Sequence, residues 1–248
     1  MNFKHIIFAI IIIFLLFHFK HYVKISNLNE IIQINNFKGE SYTELLREKK
    51  PIIIYNITKN TSAFNNLTIE QINDSDIELI IDANNKMKTT ISNINKNDKY
   101  QPNIANVNFN DSINENGYKH LLLPLSLTTK KTVIYGSTKN PKTITVGVQN
   151  EIETLICSDG ECIISLFKPA YTNILKNESF TKTYDNLFFK FKDKDNLKTL
   201  NISLNLGDAL VIPSGWSYNI IYKKPTILYN IKNDSFFFNL FSSLKRLF

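Results

Sequence analysis

Hydrophobic and polar positions alternate through much of the second half of the chain, and that alternation predicts strands. From residue 200 to 206, Leu200, Ile202, Leu204 and Leu206 fall on one face, and Asn201, Ser203 and Asn205 on the other. Gly207-Asp208 breaks the pattern, and the apolar stretch Ala209–Ile212 follows. Pro213-Ser214-Gly215 makes a second break, after which Trp216 opens a further strand. Glycine tolerates positive φ and proline fixes φ, so these breaks read as tight corners of a sheet. Asp208 is expected to serve its corner by accepting backbone N–H groups. The same reading predicts strands over 51–56, 77–81, 132–135, 143–148, 188–192, 197–206 and 225–231.

Helices are predicted near both ends. Ser41-Tyr42-Thr43-Glu44 is a capping box opening a helix that must stop before Pro51, and a second box, Thr68-Ile69-Glu70-Gln71, opens a short one. Phe237, Leu240, Phe241, Leu244 and Phe248 fall at helical spacing, which predicts a C-terminal amphipathic helix over 236–248. Docking on the core is its default role, with dimer pairing or membrane contact as alternatives. The polar, Asn- and Lys-rich stretch 84–117 reads as a surface loop or an insertion. The fold class expected is mainly β, in the α+β sense, with a domain over 25–235.

The first 24 residues differ in kind. Ile6 to Phe17 is an unbroken apolar run with no polar face, followed by His18, Lys20, His21 and Lys24. Its length suits a signal peptide or short anchor, and the bulky basic residues after it favour an uncleaved signal-anchor or transmembrane segment. The membrane is therefore an expected partner. Lysines on both sides of the run leave its orientation open. The localisation expected is single-pass membrane, with the domain lumenal, extracellular or virion-associated.

Composition narrows the classes. The chain has 248 residues, 43% hydrophobic, which is enough to bury a core and excludes wholesale disorder. The net charge is +7, but the lysines are spread along the chain without interleaved stacking aromatics, so no nucleic-acid partner is expected. Sequons at Asn56, Asn60, Asn66, Asn110 and Asn177 are candidate glycosylation sites; those at Asn73, Asn201 and Asn233 complete the set, and Asn201 lies inside an expected strand. The two cysteines, Cys157 and Cys162, flank Ser158-Asp159-Gly160-Glu161. They are either a hairpin disulfide or two reduced strand cysteines.

The run Gly207-Asp208 … Ile212-Pro213-Ser214-Gly215-Trp216 resembles the closing half of JmjC/cupin-like domains. The order of entry helix, Lys50-Pro51-Ile52-Ile53-Ile54 strand, short helix and strand, and the stretch Gly160 … Leu166-Phe167-Lys168-Pro169, resemble other parts of that family. The resemblance implies a double-stranded β-helix (cupin or jelly-roll) with short N-terminal helices. Active members hold Fe(II) with two histidines and a carboxylate and use 2-oxoglutarate. Aligned to that pattern, the first histidine falls on Ile156, the carboxylate on Ser158, the second histidine on Tyr218 and the co-substrate lysine on Cys162.

Four histidines occur, His5, His18, His21 and His120, and only His120 lies in the domain. One domain histidine cannot supply two imidazoles. His120 near an apolar run reads first as structural, and a Cys–His nucleophile built on it has no support in the spacing. No P-loop, G-x-S-x-G, zinc-ligand spacing or Rossmann glycine pattern is present. Expected, then, are no catalytic residues, no cofactor and pocket candidates Tyr218, Trp216 and His120. The function expected is a membrane-anchored binding or structural module that has lost iron and 2-oxoglutarate, with an unknown protein or small-molecule ligand and a homodimer open. The alternatives are a divergent hydroxylase with a rearranged site, or a ligand-binding cupin.

Overall fold

In a computed structural model of the chain, the described residues are 5–10, 12–14, 16, 30–35, 37, 39–57, 76–80, 86–90, 105–106, 121–123, 126–136, 145–171, 180–183, 186–189 and 197–245. The molecule is mainly β. The strands are β1 (Ile32–Ile34), β2 (Ile52–Ile54), β3 (Asp76–Ile80), β4 (Lys86–Thr90), β5 (Ala105–Asn106), β6 (Ser126–Gly136), β7 (Thr145–Gly147) and β8 (Ile152–Asp159). They continue with β9 (Glu161–Phe167), β10 (Phe180–Thr183), β11 (Asn186–Phe189), β12 (Leu200–Asn205), β13 (Ala209–Pro213), β14 (Ser217–Tyr222) and β15 (Thr226–Ser235). Helix α1 (Gly39–Leu46) lies between β1 and β2, and helix α2 (Phe236–Lys245) follows β15. The backbone is also helical at residues 5–10, 12–14 and 16.

Two six-stranded sheets dominate, with orders β1-β2-β13-β8-β15-β6 and β10-β11-β7-β14-β9-β12. Four antiparallel pairs nest one inside the next: β6 with β15, β7 with β14, β8 with β13, and β9 with β12. From β6 to β9, and again from β12 to β15, the chain changes sheet at nearly every corner. A third, three-stranded sheet, β4-β3-β5, lies within and beside the polar stretch expected to be a surface loop or an insertion. The loop alternative is corrected for 86–90 and 105–106. Lys86-Met87-Lys88-Thr89-Thr90 carries no apolar face, so periodicity could not announce it.

The first sheet is buried on both faces. One face joins the second sheet in a shared layer that includes Ile53, Ile134, Leu155, Ile164, Leu166, Leu204, Leu210, Trp216, Tyr218 and Leu228. The other face is covered by α1 and the chain around it, with Tyr42, Leu46, Ile52, Ile54, Val133, Tyr135, Ile156, Val211 and Tyr229. That is why β2 and β13 read as continuous apolar runs, while β12, covered on one side, alternates. Ile52 and Ile54 are fully buried, and each contributes about 1.5–3 kcal/mol of transfer free energy. Ile202 and Leu204 face inward as expected, but Leu206 is 61% exposed. β12 ends at Asn205, and Leu206 already belongs to the turn.

The corners follow from single residues. Asp208 is buried and accepts the backbone N–H of Asn56 on Oδ1 (3.0 Å) and that of Asn205 on Oδ2 (3.1 Å). It thereby ties the β12–β13 corner to the end of β2. Gly160, at φ +86°, turns the chain from β8 in the first sheet into β9 in the second. At the C-terminal end, Ser235 caps α2 by accepting the Phe238 N–H at 3.3 Å. The Glu151 carboxylate accepts the Ser235 N–H at 3.1 Å and faces the positive end of that helix. The expected second capping box at Thr68–Gln71 lies outside the described residues.

Candidate functional site

Tyr218, where the resemblance would put the second histidine, stands at the start of β14 with its ring inside the layer shared by the two sheets. β14 follows the Pro213-Ser214-Gly215 corner, where the Gly215 N–H bonds the Val148 carbonyl at 3.1 Å and Val148 N–H bonds the Trp216 carbonyl at 2.8 Å. These bonds fix where Tyr218 enters. Its hydroxyl donates to Glu153 Oε1 at 2.8 Å. The same Oε1 accepts Asn230 Nδ2 at 2.7 Å. The three side chains come from β14, β8 and β15, and they are 1%, 1% and 4% exposed. Lys232, also buried, lies on β15 directly across from Glu153 in register.

A buried carboxyl is costly unless hydrogen-bonded, and here two donors converge on one oxygen. Burial first, then the charge of Glu153 and the bond to it, push the Tyr218 phenol well above its ordinary range. Tyr218 is therefore a protonated donor. As built, the cluster clamps the two sheets together across their apolar layer.

Ile156, Ser158 and Tyr218 are not brought together. Ile156 packs in the layer under α1, and Ser158 bonds Tyr229 in that same layer. Both point away from Tyr218, because successive residues of a strand alternate faces. The β8 residues that share Tyr218's side are Glu153, Leu155 and Cys157. Glu153 and Asn230 are the site residues that sequence reasoning missed. Their signal was faint: Glu153 follows Ile152, and Asn230 stands between Tyr229 and Ile231, with further polar residues in both strands. Cys162, the expected lysine position, is buried in the shared layer.

The cysteines are free thiols. β8 and β9 pass into different sheets rather than pairing with each other as the two arms of a hairpin. Burial, then the charges of Asp208 and Asp159, push the Cys157 thiol up to about 12, and burial also raises Cys162. Both are thus poor nucleophiles at neutral pH. His120 lies outside the described residues, as do Asn60, Asn66, Asn73, Asn110 and Asn177. Asn56 is exposed, with φ 55°. Asn201 is exposed on β12, at an edge of its sheet. Asn233 is buried, and its amide donates to the hydroxyls of Ser126 (2.5 Å) and Thr129 (2.9 Å).

The residues around Tyr218 do not fit an Fe(II) centre. They offer one carboxyl, whose Oε1 is already engaged by two donors, and the neighbours on β8 are a leucine and a high-pKa thiol. Among the described residues, no group of three His, Cys, Asp or Glu side chains is placed to hold a metal. No helix among them is long and apolar enough to cross a membrane. No protein-family model and no curated protein matches the chain.

Proposed function

We propose that this chain is a membrane-anchored, JmjC-like/cupin-like double-stranded β-helix domain whose iron and 2-oxoglutarate site has become a sealed polar clamp. Its role is that of a binding or structural module. The nested pairing of β6–β9 with β12–β15 supports the fold reading, because a long two-stranded ribbon coiled on itself pairs its strands in this order. The Gly207-Asp208 … Pro213-Ser214-Gly215-Trp216 corners, which resemble the family motif, support the same reading. The observation that carries the loss of chemistry is the Glu153–Tyr218–Asn230 cluster at the second-histidine position.

The test is a thermal-shift titration of the full chain in detergent with Mn(II), with and without 2-oxoglutarate. The expected result is no rise in melting temperature with either or both. A rise that needs both, with succinate release, would instead establish a rearranged oxygenase.

One observation favours a second reading, a small-molecule-binding cupin. Trp216 Nε1 and Asn230 Oδ1 are buried without a protein hydrogen-bond partner, and such groups usually have one. A polar metabolite or glycan that raised the melting temperature, and did so less in Asn230→Leu, would favour this reading over a purely structural module.

A further inference from the structure

The domain carries a second apolar surface beside the N-terminal run, and the two touch. Phe14 packs edge-on against Phe237 of α2, with ring centroids 6.0 Å apart. Helix α2 is itself fixed to the domain. Phe238 and Phe241 are buried against it, and Ser235 and Glu151 hold its first turn. Its other side presents Phe236, 52% exposed, and Leu240, 37% exposed, one turn apart.

Resting on the reading of the N-terminal run as a membrane anchor, we infer that α2 is a second membrane contact, lying in the interfacial layer of a lipid bilayer with Phe236 and Leu240 toward the acyl chains.

Three observations select lipid over a second copy of the chain. First, Ile6, Ile7, Phe8, Ile10, Ile12, Ile13, Phe14 and Leu16 are exposed all round their helix, not along one stripe. A protein partner covers one side of a helix, whereas lipid covers every side. Second, Phe14 lies four residues before His18 in the sequence, where the run becomes polar. The residue that touches α2 is therefore at the headgroup boundary, and α2 is held at that depth. Third, the sequence places Lys20 and Lys24 just beyond the run and Lys245-Arg246 at the end of α2. Basic residues flanking an apolar surface complement the anionic headgroups at this boundary. The domain would then rest on the membrane at the β8-start end of its sheets, not swing on a stalk.

The test uses the full chain in vesicles of phosphatidylcholine and phosphatidylserine. Single cysteines replace Phe236, Leu240, Phe8 or Leu206, each labelled with an environment-sensitive fluorophore. The buried Cys157 and Cys162 do not label under native conditions, and the unsubstituted chain provides the blank. Leu206 is exposed at the opposite end of the strands, on the order of 25 Å away. With quenchers carried high on the lipid acyl chains, labels at positions 236 and 240 should lose about half their emission, and the label at 206 none. If the label at position 8 is quenched but those at 236 and 240 are not, α2 is not a membrane contact while the anchor stands. Quenching at 236 and 240 by a second labelled chain but not by lipid assigns the face to a dimer and also overturns the proposal. If the label at position 8 is not quenched either, the anchor reading itself fails.

Discussion

Glu153 is a carboxyl on a strand that water does not reach, so its worth is decided by what it holds. Removing it strands two donors, the Tyr218 hydroxyl and the Asn230 amide. Each unpaired buried group costs about 1–3 kcal/mol, so Glu153→Ala should destabilise the domain by about 2–4 kcal/mol. Tyr218→Phe removes one donor and leaves Oε1 bonded to Asn230, so it should cost only about 1 kcal/mol. Urea unfolding followed by far-UV circular dichroism orders the two. Equal losses, or a larger one for Tyr218→Phe, would mean that Glu153 is not the centre of the cluster. Sequence reasoning reached Tyr218 but not Glu153. The corner motif sets the phase of β14, since Trp216 and Tyr218 follow a glycine turn directly. β8 has no such marker. A strand buried on both faces shows no alternation, and without alternation an alignment can slip by one residue and turn every side chain to the wrong face.

At the scale of elements, legibility followed burial on one side only. β12 alternates because one face meets water, and its end was readable to within a residue, although the start expected at 197 lies three residues before Leu200. β15 was read to Ile231 but runs to Ser235. Asn233 and Asp234 near its end are polar, and they are buried because neighbouring groups bond them. Asp234 Oδ1, for example, accepts the Glu151 N–H at 2.7 Å. The corners are where a single residue decides whether two elements meet. Gly160 has φ +86°, and a Cβ there would lie 2.2 Å from the Pro225 carbonyl oxygen, which is backbone and cannot rotate away. The same corner is pinned by Thr226, whose hydroxyl accepts the Glu161 N–H at 3.1 Å. Gly160→Ala therefore combines backbone strain with a clash and should cost about 2 kcal/mol or more. Gly215→Ala meets only ordinary contacts, at 3.6 Å to Pro169, and bears the strain of positive φ alone. It should cost clearly less in the same denaturation assay. Equal costs would show that the β8–β9 corner relaxes freely.

At the scale of the whole molecule, the first sheet belongs to two apolar layers at once, so neither layer can be lost without the other. High pH tests this, because buried tyrosines lie on both sides of it. Tyr42 and Tyr229 belong to the layer under α1, and Tyr218 to the layer between the sheets, with Tyr222 packed against it. Burial raises all four above the ordinary 10.0, Tyr229 to about 12. A raised phenol pKa means that the folded state keeps a proton which the unfolded state releases. Stability from these groups is therefore complete below pH 10 and falls as the pH climbs from there toward the folded values. The buried phenols should ionise only as the chain unfolds, in one cooperative step of tyrosinate absorbance. Trp216, the single tryptophan, reports the layer between the sheets by its fluorescence. Its transition should coincide with the absorbance step, and Ile54→Ala, on the far side of the first sheet, should move both to lower pH together. Separate transitions, or an Ile54→Ala shift seen in absorbance but not in Trp216 fluorescence, would divide the domain into two independent layers. The clamp at Glu153 would then stabilise only one of them.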